Sequence, residues 1–148
     1  GLEVSVSDLS VEPTLADEEI AKALNVSVGA RLTCVRRVVR AEGRPVAYLV
    51  DNLPEAILHT DHMPDDFHGS VLDFLLARGD TITSSRANVS AIGGTAEVAK
   101  ALEIQRGDVL LHFYSQLFDA EGKVVDYSLS YFIPGYFHFH IVRRVGKN

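Results

Sequence analysis

The run VVDYSLSYFIP, residues 124–134, sets Asp126, Ser128, Ser130 and Phe132 at alternate positions, so a strand there aims all four from one face. Val125, Tyr127, Leu129, Tyr131 and Ile133 form the opposite face, large and apolar enough to be core. A carboxylate, two hydroxyls and an aromatic ring in a row suit two roles. They are a solvated strand face, or they are the floor of a small-ligand cleft, where a few polar groups fix an otherwise apolar guest. Asp51 lies on an earlier strand of the same kind. Asp51 and Asp126 are therefore either two exposed strand acids or polar anchors inside a pocket, where a carboxylate pair can do acid–base work.

Other chemistries find less support. Cys34 is the single cysteine, set in a valine-rich run, and reads as a buried structural thiol; a nucleophile needs a base and an electropositive site. His138 and His140 share one strand face, and His59, His62 and His68 fall in one loop region. No third ligand stands at a convincing spacing, so neither a metal nor a cofactor is expected. The Gly93-Gly94 pair lacks the Lys-Ser/Thr of a phosphate loop, and no serine sits in a nucleophile elbow.

The totals fit one soluble domain over residues 1–148, with 47% hydrophobic and 23% charged residues. No disulfide can form within the chain, which fits a reduced, cytoplasmic setting. No apolar run approaches a membrane span, and the N-terminus has no apolar signal core. The net charge of −6 argues against direct nucleic-acid binding, which wants a basic face. The clusters Arg36-Arg37-Arg40-Arg44 and Arg143-Arg144-Lys147 read as a solvated strand face and a tail. Because the chain starts at Gly1 rather than Met, it is expected to be a piece of something longer.

The elements that must position these residues come in two copies. IAKALNV at 20–26 returns as VAKALEI at 98–104; Gly29 and Leu32 return as Gly107 and Leu110, all at an offset of 78. The AEG turns, 41–43 and 120–122, follow at 79, and Pro54 and Pro134 at 80. Each copy reads as helix, strand, hairpin turn, strand. Acidic residues 17–19 suit the start of the first helix, and Thr95 is a candidate N-cap for its counterpart. Between the copies, GSVLDFLLARG at 69–79 reads as a helix capped by Ser70 with Gly79 at its exit. TITSSRANVSAIGG at 81–94 reads as a strand with Ile82, Ser84, Arg86, Asn88 and Ser90 on one side. Segment 2–11 gives a short first strand, and YFHFHIVRRV at 136–145 a last one. The class is α+β with a mainly antiparallel sheet.

In this order and spacing, residues 23–54, the helix 69–79 and residues 101–144 resemble the UTRA domain, the effector-binding domain of HutC-type GntR transcription regulators. The telling parts are the Leu-x-Val/Ile-x-x-Gly approaches, the two turn glycines, the Gly-Ser helix start and the acidic-x-Ser-x-Ser strand. The resemblance implies a chorismate-lyase-like fold, a six-stranded antiparallel sheet with flanking helices and an internal pseudo-duplication. It implies a small-molecule sensor, a homodimer, and DNA binding through a separate N-terminal winged helix-turn-helix. It implies no enzyme; a small chorismate-lyase-like enzyme and a dimerisation module with a vestigial pocket are the alternatives.

Relatives that sense phosphorylated sugars carry two arginines at alternate positions before the first turn. The first aligns with Arg37, the second with Val39, and Arg40 points to the other face. Ser70 is kept; a tyrosine position two residues on is Leu72, an acidic position is Leu49, a common tyrosine is Phe132, and a position that is often arginine is Ile133. Phosphate-oriented groups have become apolar. The expected effector is small and relatively apolar, or a carboxylate held by Arg37 or Arg86 with Ser70, rather than a sugar phosphate. The candidate ligand-binding residues are Arg37, Ser70, Arg86, Asp126, Ser128, Ser130 and Phe132, with Tyr114 and Tyr131 behind them.

Overall fold

The computed structural model describes residues 3–146. Leu2, expected in the first strand, and Lys147, expected in the basic tail, lie outside them. Six strands form one antiparallel sheet in the order β1-β2-β3-β6-β5-β4: β1 Val4–Leu15, β2 Arg31–Ala41, β3 Arg44–Pro54, β4 Ile82–Gly93, β5 Val109–Asp119 and β6 Val124–Phe132. Helix α1 (Glu18–Leu24) joins β1 to β2, and α3 (Ala96–Leu102) joins β4 to β5. Helix α2 (Val71–Arg78) and a short 3-10 turn, Thr60–His62, fill the connection between the halves.

The repeat is larger than the sequence motifs suggest. β1, α1 and β2 begin at residues 4, 18 and 31, and β4, α3 and β5 at 82, 96 and 109, the same offset of 78 each time. Each half is strand, helix, strand, strand, and the halves join where β3 pairs with β6. The helix entrances match. Ala16 donates to the carbonyl of Ala30 and accepts from Gly29 N–H, while Gly94 donates to Asp108 and accepts from Gly107. The second entrance is tighter: a Cβ on Gly93 would lie 3.2 Å from the Gly107 carbonyl oxygen. That contact, not phosphate binding, accounts for a glycine there.

The helices stop and start as their side chains dictate. Asp17, Ser70 and Thr95 each cap a helix by accepting a backbone N–H three residues on. Asn25, Gly79 and Glu103 end them in the left-handed conformation. Both short helices lie on one face of the sheet. Leu24 packs with Leu32, Val124 and Tyr127, and Leu102 with Cys34, Val50 and Leu110. The opposite face is covered in part by α2, whose Val71 and Leu75 pack on Val35, Leu53, Leu117 and Val125.

Five expectations fail, each for a local reason. Residues 136–145 form no strand; Ile141, Val142 and Val145 are exposed, and the aromatic positions Phe137 and Phe139 pack instead on Phe132 and Phe113 of the sheet. His138 and His140 therefore do not share a strand face. The two AEG turns are different hairpins. Glu42 and Gly43 both take positive φ, 50° and 78°, a two-residue type I′ turn, whereas in the second copy only Gly122 does. There Asp119 accepts from the N–H groups of Glu121 and Lys123 and closes a longer loop. Alternation also slips at Val125, an extra residue opposite Leu117 and Phe118. This bulge sends Val124 to the helix side and Val125 to the α2 side. A matching irregularity at Thr83 parts Ile82, which packs under α2, from Ser84 and the residues beyond.

Candidate pocket on the open face of the sheet

Beside the start of α2 the sheet face lies open, and a cavity of about 440 Å³ occupies it. Its floor follows from register. β2 gives Arg37 and Val39, β3 gives Leu49 and Asp51, β6 gives Asp126, Ser128, Ser130 and Phe132, and β5 gives Ser115 and Leu117. Asp51 pairs with Ser128, Leu49 with Ser130, and Ser115 with Ser128 from the other side. Ser70 and Leu72 at the start of α2, Ser85 on β4 and Phe137 beyond β6 form the walls. Phe132 and Phe137 meet edge to face with centroids 4.9 Å apart, closing one end with aromatic surface.

At the bottom lies a charged cluster that is almost wholly buried. Arg37, Asp51 and Asp126 are 4%, 6% and 1% exposed. An Arg37 Nη1 donates to Asp51 Oδ2 at 2.8 Å, and the guanidinium sits 5.4 Å from the centre of the Phe67 ring. Burial pushes the Asp126 carboxyl well above the usual range; the charge of Asp51 and a hydrogen bond to it push the same way, and Arg37 and the Asn52 N–H act against them. Asp126 is thus driven toward its protonated form. Its Oδ1 is buried and has no hydrogen-bond partner. A buried acceptor left open costs about 1–3 kcal/mol, so its retention calls for a reason.

Six candidate residues line this cavity together: Arg37, Ser70, Asp126, Ser128, Ser130 and Phe132. Three do not. Arg86 and Tyr114 line a smaller groove on the opposite face, with Lys22 and Gln116 beneath α1. Tyr131 is also on that face, stacked on His112 at 4.5 Å and on Tyr48 at 6.1 Å. On β4 and β5 it is Ser85 and Ser115, the alternate residues, that reach the cavity. Strand parity was readable for each strand, but which parity faces β6 depends on cross-strand register, which no local pattern carries.

Asp51 was legible only as a candidate partner acid; the register puts it two residues beyond Leu49 on the same face. The expected solvated arginine cluster divides. Arg37 is buried, while Arg36 and Arg40 meet Glu12, Glu97, Asp8 and Glu103 on the helix face. Cys34 is buried as expected, its thiol pushed up to about 11, chiefly by burial. A second cleft, lined by Pro13, Leu15, Arg31, Glu55 and His59, holds no buried polar atom without a partner.

Arrangement and chain order match known proteins. A protein-family model, the UTRA domain, matches residues 1–138. Among solved structures, a protein from Streptomyces coelicolor superposes with a TM-score of 0.85 at 26% identity, over 97% of this chain and 100% of that one. The effector domain of PhnF from Mycobacterium smegmatis gives 0.84 at 20%, over 97% and 89%. YydK from Bacillus subtilis gives 0.83 at 18%, over 96% of this chain and 64% of its own length. A search of curated proteins finds no match. The fold is that of effector domains of GntR-family transcription regulators, and the chain belongs to the UTRA domain family.

Proposed function

We propose that this chain is the effector-sensing and dimerisation domain of a bacterial HutC-type GntR regulator, working in the cytoplasm as a homodimer without catalysis. DNA is read by a separate N-terminal domain, and a small molecule in the pocket biases the relation between the two DNA-reading heads. A ligand does this only through unequal affinity for the two arrangements.

The observation that carries the reading is the cavity over Asp126, with an unused buried acceptor at its floor and a mostly apolar lining around it. Its size suits a small guest. The effector is small and relatively apolar. Arg37 is the one cation among the residues lining the cavity, and Asp51 already holds it. Val39 and Leu72 offer nothing to a phosphate. Arg86, on the other face, cannot hold a carboxylate here.

A thermal-shift screen of the domain tests this. Small apolar compounds with one polar head should raise the melting temperature. A screen in which only sugar phosphates do so removes the reading.

A further inference from the structure

Three ionisable groups meet at the pocket floor: one guanidinium and two carboxylates. Were all three ionised, the cluster would carry one uncompensated negative charge in a site almost closed to water, which burial penalises heavily. Two things can cancel it: a proton on Asp126, or a positive charge brought by a guest. Arg37 supplies only one positive charge, paired through its Nη1 with Asp51, and its face lies against Phe67. Meanwhile Asp126 Oδ1 is an acceptor without a donor, and Ser128 and Ser130 extend the row of polar groups away from it along β6. The rest of the lining is mostly apolar, with the hydroxyls of Ser70, Ser85 and Ser115 set in it.

We propose, on the reading of this cavity as the effector pocket, that the effector is a small apolar molecule bearing a protonated amine. Its N–H docks on Asp126 Oδ1, and its charge takes over from the Asp126 proton.

The exchange balances. The Asp126 carboxylic acid and the ammonium ligand become a carboxylate–ammonium pair, and one proton leaves to solvent. No bond to carbon changes. The groups that decide where Asp126 titrates come from each element packed on it. Asp51 and the Asn52 N–H come from β3, and Arg37 from β2. β5 contributes Leu117 and Ser115, and α2 contributes Ser70 and Leu72, none of them charged. Because burial beside Asp51 favours the acid form of Asp126, amine affinity should rise with pH, by up to about tenfold per unit, until Asp126 ionises unaided or the amine loses its own proton. An anionic guest faces the reverse: it adds a further negative charge to a cluster whose single cation, Arg37, is already paired with Asp51.

The test uses the 148-residue chain and three probes with one body and different heads: 2-phenylethylamine, 2-phenylethanol and phenylacetate. Calorimetry at about pH 6, 7 and 8, in two buffers of different ionisation enthalpy, reads affinity and proton release together. The amine should bind tightest, gain affinity as pH rises and release up to one proton. In Asp126→Asn, proton release should vanish and amine affinity fall by about tenfold or more, while the alcohol changes by less than about threefold. If that variant does not fold, wild-type proton release still decides. Amine binding without proton release, or no amine binding, overturns the inference. Phenylacetate binding more tightly than the amine also overturns it, yet leaves the effector-pocket reading in place.

Discussion

Placing a carboxylate against another carboxylate in the interior is costly, and at Asp126 that cost shifts the balance toward the protonated acid. The consequence for stability has a definite sign. Asp126 binds its proton more tightly folded than unfolded, so its contribution is whole below the ordinary aspartate range, about 3.9. It is lost as pH rises from there through the raised folded value, with a slope of at most about 1.4 kcal/mol per pH unit. Asp126→Asn keeps the shape and removes the titration. The variant should be more stable than wild type at neutral pH, with the difference shrinking as pH falls toward 4. Urea unfolding at several pH values measures this; a constant difference would remove the buried acid from the account.

At the level of elements, the two AEG hairpins show how one inserted residue changes a turn. In the first, Glu42 must adopt a positive φ of 50°, a conformation that costs most residues about 1–2 kcal/mol but that asparagine accepts readily. Its side chain gains only an exposed contact with the Glu3 N–H. Glu42→Asn should therefore stabilise the protein by about 0.5–1 kcal/mol by giving the hairpin its favoured Asn-Gly pair. The same change at Glu121, which lacks positive φ, should do nothing of that size. Thermal melts of the two variants check both halves of the statement. The letters of the turn were visible in the sequence; that they build two geometries was not, because loop length is set by where each strand pair closes.

Across the whole molecule, the halves are tied by reciprocal bonds. Tyr48 on β3 donates to Glu97 on α3, and Tyr127 on β6 donates to Glu19 on α1, at 3.0 and 3.1 Å. Each helix is thus held by a tyrosine from the other half of the repeat, in positions related by the internal symmetry. Tyr48→Phe and Tyr127→Phe should each cost about 0.5–1.5 kcal/mol, adding when combined because the sites share no partner. Both bonds lie on the helix face, so ligand affinity at the opposite face should stay within about twofold. Denaturation and calorimetry on the same variants separate the two effects.

The sequence by itself determined the class, the repeat, the two hairpins and the helix caps, since these follow from residue type and short spacing. It also determined that Asp126, Ser128, Ser130 and Phe132 share a face, because strand parity is local. Only the tertiary structure decided what that face meets. The register of β5 on β6 brought Ser115 rather than Tyr114 to the cavity, and that of β4 brought Ser85 rather than Arg86. The junction of β3 with β6 set Asp51 beside Asp126 and occupied the one arginine of the pocket. Pairings between residues about seventy-five apart depend on the closure of the whole sheet, and no stretch of sequence holds that information alone.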